Sequence, residues 1–321
     1  MKRASFVRLR QIAFRLIGLG ILALILFKID LRATATALVN LHGSYLLLAI
    51  AASLPLFGLK AWRWQEMLKM QGIRYPWRDA FLAFVAGLFL GLVTPGRVGE
   101  MSKALYLKQD RGVPASIGLA NVLMDRLFDL YTILVLGSAG LVWFRLLPTW
   151  ALVLVVAGTV ASILLPAVLL SERLAAWGLA LLRHIPLLRR YDARLTGATE
   201  RFQQGLRPLL TLRLMGPLLL TQVAYLLFFV QGQLLALAVD LPIGYFYLAV
   251  CLSVAGVITL LPVSISGLGT RDATLIALFA PLGIAPAQTM AFSTLYFLTF
   301  YVVGGAIGAV AWQIKPLREK A

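Results

Sequence analysis

The sequence WALVLVVAGTVASILLPAVLL at Trp150–Leu170 contains no charged side chain. A helix needs roughly 20 apolar residues to cross the ~30 Å hydrocarbon layer of a bilayer. Further apolar runs lie at Ile12–Phe27, Tyr45–Leu59, Ser116–Phe144, Leu214–Val239, Tyr245–Leu261 and Ala287–Ile314. The sequence therefore predicts an all-α integral membrane protein, a polytopic helical bundle with about seven or eight membrane-embedded segments.

The composition excludes a soluble domain. Of the 321 residues, 60% are hydrophobic and only 13% are charged, whereas soluble domains carry roughly a quarter charged residues. Because apolar runs recur along the whole chain, we expect residues 1–321 to form a single membrane domain.

The net charge of +17 follows the positive-inside rule. Most of the 30 Lys and Arg residues fall in clusters that alternate with nearly uncharged stretches. The clusters are Lys2–Arg15, Lys60–Arg78, Arg97–Arg111, Arg173–Arg213 and Lys315–Lys320. We expect these clusters and both chain termini to face the cytoplasm at an inner membrane. Membrane lipids, and not nucleic acid, are then the expected partners.

Two of these clusters have a more specific interpretation. The residues Lys60, Trp62, Arg63 and Trp64 follow an apolar run, and Trp beside cationic residues is typical of interfacial anchors. In Ser171–Arg213, apolar residues recur at helical spacing between arginines, which favours an amphipathic helix on the cytoplasmic surface. A solvated linker is the alternative for that segment.

Two short apolar segments end in unusual breaks. Ala80–Val93, with about 14 residues, is too short to span and predicts a re-entrant segment. Its break contains Pro95, Gly96, Arg97, Gly99 and Glu100. The second break, after Tyr245–Leu261, contains Pro262, Gly267, Gly269, Arg271 and Asp272. Each break thus combines a proline, two glycines, an arginine and a carboxylate.

The charge distribution places the opening of one break inside and that of the other outside. This pattern is typical of inverted-topology repeats with broken helices. We therefore expect two re-entrant hairpins, one in each repeat half, with halves of roughly 1–146 and 150–321. Irregular backbone at membrane depth survives only when it is buried in protein or lines a wet cavity. Glycine-rich turns at the interface, with snorkelling arginines, are the alternative.

A third feature is the charged stretch Asp125–Asp129 inside an apolar segment. Asn121, Asp125, Asp129 and Thr132 share one helical face, and Arg126 can reach Asp129 at i+3. Each buried charge costs at least ~2.5–3.5 kcal/mol at the bilayer centre. We expect these side chains to face a polar cavity and to pair with partners such as Arg97 or Arg271. A purely structural salt-bridge network is the alternative.

Other chemistry has little support in the sequence. The single Cys251 excludes a disulfide framework and a thiolate cluster, and His42 and His184 stand alone. We therefore expect no metal, no cofactor and no catalytic residue.

Three ordered motifs resemble the lysylphosphatidylglycerol synthase membrane region, the flippase domain of the multiple-peptide-resistance factor. They are PGRVGE at 95–100 followed by Lys103, DRLFDL at 125–130, and P-x-S-x-x-G-x-G-T-R-D at 262–272. The resemblance covers nearly the whole chain and implies two re-entrant hairpins and a role in lipid translocation. No aminoacyl-transfer domain follows Lys320, so the synthase activity is not expected here.

These features lead to one principal functional hypothesis. The protein would translocate an anionic or zwitterionic phospholipid, or a polyprenyl-phosphate-linked lipid, across the inner membrane without being an enzyme. Arg97, Glu100 and Lys103 would line the cytoplasmic entrance, and Arg271 and Asp272 the outer one. The bridge between them would be formed by Asp125, Arg126 and Asp129.

Two other classes stay open. One is a membrane-embedded transferase that acts on a lipid-linked sugar or phospholipid. The other is an accessory subunit of a lipid-modifying complex. Neither a homo-oligomer nor a partner from lipid biosynthesis is excluded by the sequence.

Overall fold

The computed structural model describes residues 31–145, 148–173, 192–260 and 267–317. Over these ranges the chain forms helices and no strand. The α-helices are α1 (Leu31–Val39), α2 (Gly43–Ala51), α3 (Ser53–Met70), α4 (Trp77–Val93), α5 (Ser102–Arg111), α6 (Ala115–Trp143), α7 (Thr149–Leu170), α8 (Asp192–Leu206), α9 (Met215–Ala238), α10 (Tyr245–Leu260), α11 (Thr270–Phe279), α12 (Pro286–Phe297) and α13 (Gly304–Ile314). The predicted first run Ile12–Phe27, residues 174–191 of the predicted amphipathic segment, and Pro262 lie outside the described residues.

Four of the described helical stretches are long and apolar enough to cross a membrane. They are Gly43–Met70, Thr149–Leu170, Leu212–Ala238 and Pro286–Ile314. In Thr149–Leu170, only 11% of the most apolar window is buried within the protein. Water would not tolerate so large an exposed apolar surface, whereas lipid does. The prediction of an all-α polytopic membrane protein is confirmed.

The chain forms two compact units, each assembled from three stretches. Unit 1 comprises Met1–Pro55, Thr132–Val156 and Tyr225–Val303. Unit 2 comprises Leu56–Tyr131, Ala157–Ala224 and Gly304–Ala321. Each unit draws on both predicted sequence halves, so the units are not the halves, and the inverted repeat stays a prediction.

The first break lies in unit 2, where the chain folds back on itself. A 3-10 helix at Pro95–Met101 separates α4 from α5. Thr94 Oγ1 holds this turn, because it accepts from the Gly99 N–H over 2.7 Å and donates to the Leu90 carbonyl over 2.7 Å. A Cβ atom at Gly87 would lie 3.0 Å from Cγ of Lys103, so α5 passes close beside α4.

The second break lies in unit 1, where α11 packs against α10. Gly267 and Gly269 have φ angles of +78° and +83°, which residues with a Cβ rarely adopt. The Gly269 N–H donates to Asp272 Oδ2 over 2.8 Å, so the carboxylate caps the start of α11. The two glycines therefore allow the backbone to turn into this helix.

A polar cluster in unit 2 fixes the end of α13. Lys315 Nζ lies 2.6 Å from Asp79 Oδ1 and 2.7 Å from Asp110 Oδ2. The Tyr75 hydroxyl donates to the same Asp110 oxygen over 2.5 Å. Burial and this hydrogen bond raise the pKa of Tyr75 well above its usual range. The phenol therefore remains a hydrogen-bond donor at any physiological pH.

Candidate functional site

Arg63, on α3 in unit 2, lies between the two aspartates of α6. Its Nη2 and Nε donate to Asp125 Oδ1 over 2.6 and 2.9 Å, and its Nη1 donates to Asp129 Oδ1 over 2.7 Å. Nη2 also donates to the Asp125 carbonyl and Nη1 to the Thr221 hydroxyl. Only 1% of the Arg63 side chain is exposed. One guanidinium thus joins two carboxylates one helical turn apart.

The other oxygen of Asp125 binds a second cation. Lys103 Nζ donates to Asp125 Oδ2 over 2.5 Å, and 1% of the Lys103 side chain is exposed. The ammonium group also lies 4.7 Å from the centre of the Phe84 ring, a favourable cation–π arrangement. Arg63, Lys103 and Asp125 form the sealed part of the network.

The remaining charges form a more open edge. Lys60 Nζ lies 3.2 Å from Asp129 Oδ1, with 19% and 21% of the two side chains exposed. Arg126 forms an ion pair with Glu100, and 30% of the Arg126 side chain is exposed. The positive charge of Arg126 also acts on Asp129, which links the two pairs. We call these seven side chains the charge network: Lys60, Arg63, Glu100, Lys103, Asp125, Arg126 and Asp129.

The spacing of these residues along each helix determines which of the charged side chains share a face. Asp125 and Asp129 share a face of α6 because they are four residues apart, and Lys60 and Arg63 share a face of α3 at a separation of three. Glu100 reaches Arg126 past Gly91, where a Cβ would lie 2.5 Å from Cγ of Glu100. Small residues on α4 thus make room for the charged side chains that follow the break.

The structure brings most of the sequence-predicted site residues together. Glu100, Lys103, Asp125, Arg126 and Asp129 all belong to the charge network. The structure also gives partners for two of these residues. The cations on Asp125 are Arg63 and Lys103, and Arg126 forms an ion pair with Glu100.

Arg97 belongs to the first break. It is exposed on the 3-10 helix and has a φ angle of +56°, in the left-handed region. Pro95 and Gly96 precede it in the same 3-10 helix. A non-glycine residue in this region costs roughly 1–3 kcal/mol. The strained backbone at Arg97 therefore indicates that the surrounding structure holds this turn in place.

Sequence reasoning missed Lys60 and Arg63 as members of the site. The interpretation of Arg63 and Trp64 as interfacial anchors is wrong, because both are buried, whereas Trp62 is exposed as predicted. The residues around Arg63 could have indicated that its side chain is buried. Buried Trp64 and Met67 continue the apolar face of α3 past the cation, and a cation inside such a face requires a buried counterion.

The second predicted set, Arg271 and Asp272, lies in unit 1. Both side chains are buried, and Arg271 Nη2 donates to Asp272 Oδ1 over 2.9 Å. Arg271 Nε donates to Ser293 Oγ over 3.0 Å, which ties α11 to α12. The guanidinium lies 5.0 Å from the centre of the Tyr296 ring. This pair is balanced in charge.

Known proteins resemble the chain over almost its whole length. The model of the family described as lysylphosphatidylglycerol synthase TM region matches residues 12–308. A UPF0104 membrane protein of Methanocaldococcus jannaschii is 23% identical over 315 residues, which cover 92% of each chain. A UPF0104 membrane protein of Methanothermobacter thermautotrophicus is 23% identical over 312 residues, again 92% of each chain. No solved structure matches the chain at a significant level.

Proposed function

Since the chain belongs to the lysylphosphatidylglycerol synthase TM region family, as its motifs predicted, we propose that it translocates a lipid across the inner membrane as a flippase-like transporter and not as an enzyme. The family ties the protein to lipid metabolism at the membrane. The observation that carries the specific proposal is the charge network. These charged side chains lie within a protein whose apolar outer surface suits lipid.

Charged side chains within membrane helices are expensive and are typical of substrate pathways. In unit 2, seven of them converge, and Lys60, Arg126 and Asp129 at the open edge remain partly exposed. A lipid headgroup crossing the hydrocarbon layer needs such partners, because its own charges lose water there. The headgroup would exchange ion pairs with the open edge, while Arg63, Lys103 and Asp125 hold that edge in place.

The break after α4 would form the entrance to this pathway. The fold-back of α5 onto α4 supports a re-entrant hairpin, because the two limbs lie side by side with glycines between them. Such broken helices expose backbone polar groups to a substrate at membrane depth.

This pathway requires a defined topology. We expect both termini and residues 171–213 to face the cytoplasm. In a Cys251→Ala background, an impermeant maleimide should label Asp192→Cys only after permeabilisation. It should label Arg145→Cys in intact spheroplasts. Labelling of Asp192→Cys from outside alone would overturn the topology and the inverted repeat together.

The transport proposal is tested in vesicles that contain the purified protein. Labelled phospholipid should cross at least tenfold faster than in empty vesicles. The double variant Glu100→Gln/Arg126→Gln should lose most of this acceleration, because its amides keep hydrogen bonds but remove both charges. The matched control is Glu66→Gln/Lys69→Gln, which removes the exposed pair on α3, and it should keep the wild-type rate.

Three results would contradict the proposal. The first is no acceleration of any lipid by the folded wild-type protein, which would favour an accessory subunit. The second is full transport by Glu100→Gln/Arg126→Gln, which would place the pathway elsewhere. The third is a change in lipid mass after incubation with a lipid-linked sugar, which would favour the transferase.

A further inference from the structure

The hairpin formed by α4, the first break and α5 is closed at its far end by one lysine. Because the break joins the two helices, the start of α4 and the end of α5 lie at the opposite end of the hairpin. Asp79 is in the first turn of α4, and Asp110 is in the last turn of α5. Lys315 Nζ lies 2.6 Å from Asp79 Oδ1 and 2.7 Å from Asp110 Oδ2. We call these three side chains the clasp.

The charge of Lys315 decides whether the two aspartates can lie together. Asp110 is unfavourable for α5 itself, because a carboxylate in the last turn meets the negative end of the helix dipole. It also lies near the like charge of Asp79, since both carboxylates contact the same ammonium group. The side chains of Lys315 and Asp110 are only 15% and 19% exposed, so water screens these charges only in part. Without the ammonium group, repulsion between the carboxylates would favour separation of α4 and α5.

One face of α5 joins the clasp to the charge network. Lys103, Tyr106 and Asp110 are spaced at i, i+3 and i+7, which places them on the same face of the helix. At one end of this face, Lys103 donates to Asp125 over 2.5 Å. At the other end, the Tyr106 hydroxyl donates to the Lys315 carbonyl over 2.7 Å, and Asp110 pairs with the Lys315 ammonium group. The two ends are about 10 Å apart along the helix, so a shift of α5 that opens the clasp also moves Lys103.

A second line of contacts runs from the clasp to the same lysine of the network. The Lys315 ammonium group lies 5.4 Å from the centre of the Tyr75 ring, whose hydroxyl donates to Asp110. The Tyr75 ring meets the Trp64 ring edge to face at 5.8 Å, and Lys103 Nζ lies 5.8 Å from the centre of the Trp64 ring. Both aromatic side chains are buried, and closely packed interiors transmit strain. Such contiguous packing is a physical route for energetic coupling between two sites.

We propose that the clasp is a conformational switch, in which the charge of Lys315 holds α4 and α5 together and α5 couples this state to the ion pair of Lys103 with Asp125. With the clasp paired, α5 keeps Lys103 on Asp125. With the clasp open, α5 moves away from α4 and that ion pair loosens. The charge network is thereby controlled from the other end of the hairpin. This inference concerns a movement within unit 2 and holds whether or not the protein transports lipid.

The first test measures opening of the hairpin by thiol reactivity. Ser102→Cys places a thiol at a buried position of α5, beside Gly87 of α4. Its reaction with N-ethylmaleimide is followed by mass spectrometry of the full-length protein in detergent. We expect Lys315→Met to accelerate this reaction at least about tenfold, a typical size for coupling between two sites. The natural Cys251, which is buried in unit 1, reports any wider unfolding and should react as slowly as before.

Three further variants test the role of charge. Lys108→Met removes the same charge from an exposed position of α5, and its rate should stay within about twofold of the wild-type rate. Lys315→Arg should keep the thiol protected, because the charge remains. Lys315→Met/Asp110→Asn removes the repulsion as well, so it should react more slowly than Lys315→Met alone.

Three results would overturn the switch. The first is an unchanged rate in Lys315→Met. The second is a double variant that reacts faster than Lys315→Met, which would exclude repulsion as the cause of opening. The third is equal acceleration at Cys251, which would show that Lys315 supports only the folding of the whole chain.

The second test measures coupling to the charge network by thermal unfolding in detergent. The shift of the unfolding midpoint is compared for Lys103→Met, Lys315→Met and the two together. Independent substitutions at about this distance, roughly 10 Å, shift stability additively. If opening of the clasp already loosens the ion pair of Lys103, the combined shift should be clearly smaller than the sum. Such a result upholds the coupling even if vesicles show no transport, and additive shifts overturn it even if they do.

Discussion

Replacement of Asp125 by leucine is expected to lower the free energy of unfolding by about 3–5 kcal/mol. Lys103 forms its ion pair with Asp125, and Arg63 donates two hydrogen bonds to the same carboxylate. The substitution leaves both cations buried with too little negative charge. Arg63→Met should cost less, because Lys103 still faces Asp125 and Lys60 still faces Asp129.

A double variant tests this explanation. Asp125→Leu/Lys103→Met removes an entire buried pair, and such replacements are often close to neutral. We expect it to recover much of the lost stability in thermal unfolding measured in detergent. The control Glu66→Leu, at an exposed pair, should change stability by no more than about 1 kcal/mol.

The double variant also separates structure from function. Lipid transport should stay lost, because the network that holds the open edge has lost its centre. Recovery of both stability and transport would show that the network is purely structural. A loss of less than about 1 kcal/mol in Asp125→Leu alone would mean that these charges are solvated.

Gly99→Ala should have an effect of similar size for a different reason. A Cβ at this position would overlap the carbonyl oxygen of Leu90. Backbone of a packed helix cannot move aside as a flexible side chain can. We expect a loss of about 3 kcal/mol, at the upper end of the cost of overpacking, and loss of transport.

The matched control is Gly158→Ala on α7, where a Cβ would meet no atom within 4 Å. That substitution should leave stability and transport unchanged or slightly raise stability. Thermal unfolding and the vesicle assay report the two effects separately. Full transport by Gly99→Ala would show that the close turn after α4 is not needed for function.

Properties that depend on local sequence were predictable. The length and polarity of a run determine whether a helix suits lipid, so Trp150–Leu170 was sufficient to exclude a soluble protein. Spacing along one helix determines which side chains share a face, so the sequence predicted that Asp125 and Asp129 lie side by side on α6. The glycines of both breaks were also recognisable, because φ > 0 and close approach favour glycine.

Tertiary structure alone decided the partners. Arg63 is 62 residues from Asp125 in sequence, and Lys103 is 22 residues away. No local pattern specifies which distant cation meets a given carboxylate, since several arginines carry the same charge and similar reach. The choice depends on which helix surfaces pack together, and α3 and α5 both bring a cation to α6. For the same reason the sequence assigned Arg63 to the interface, although packing buries it at the centre of the site.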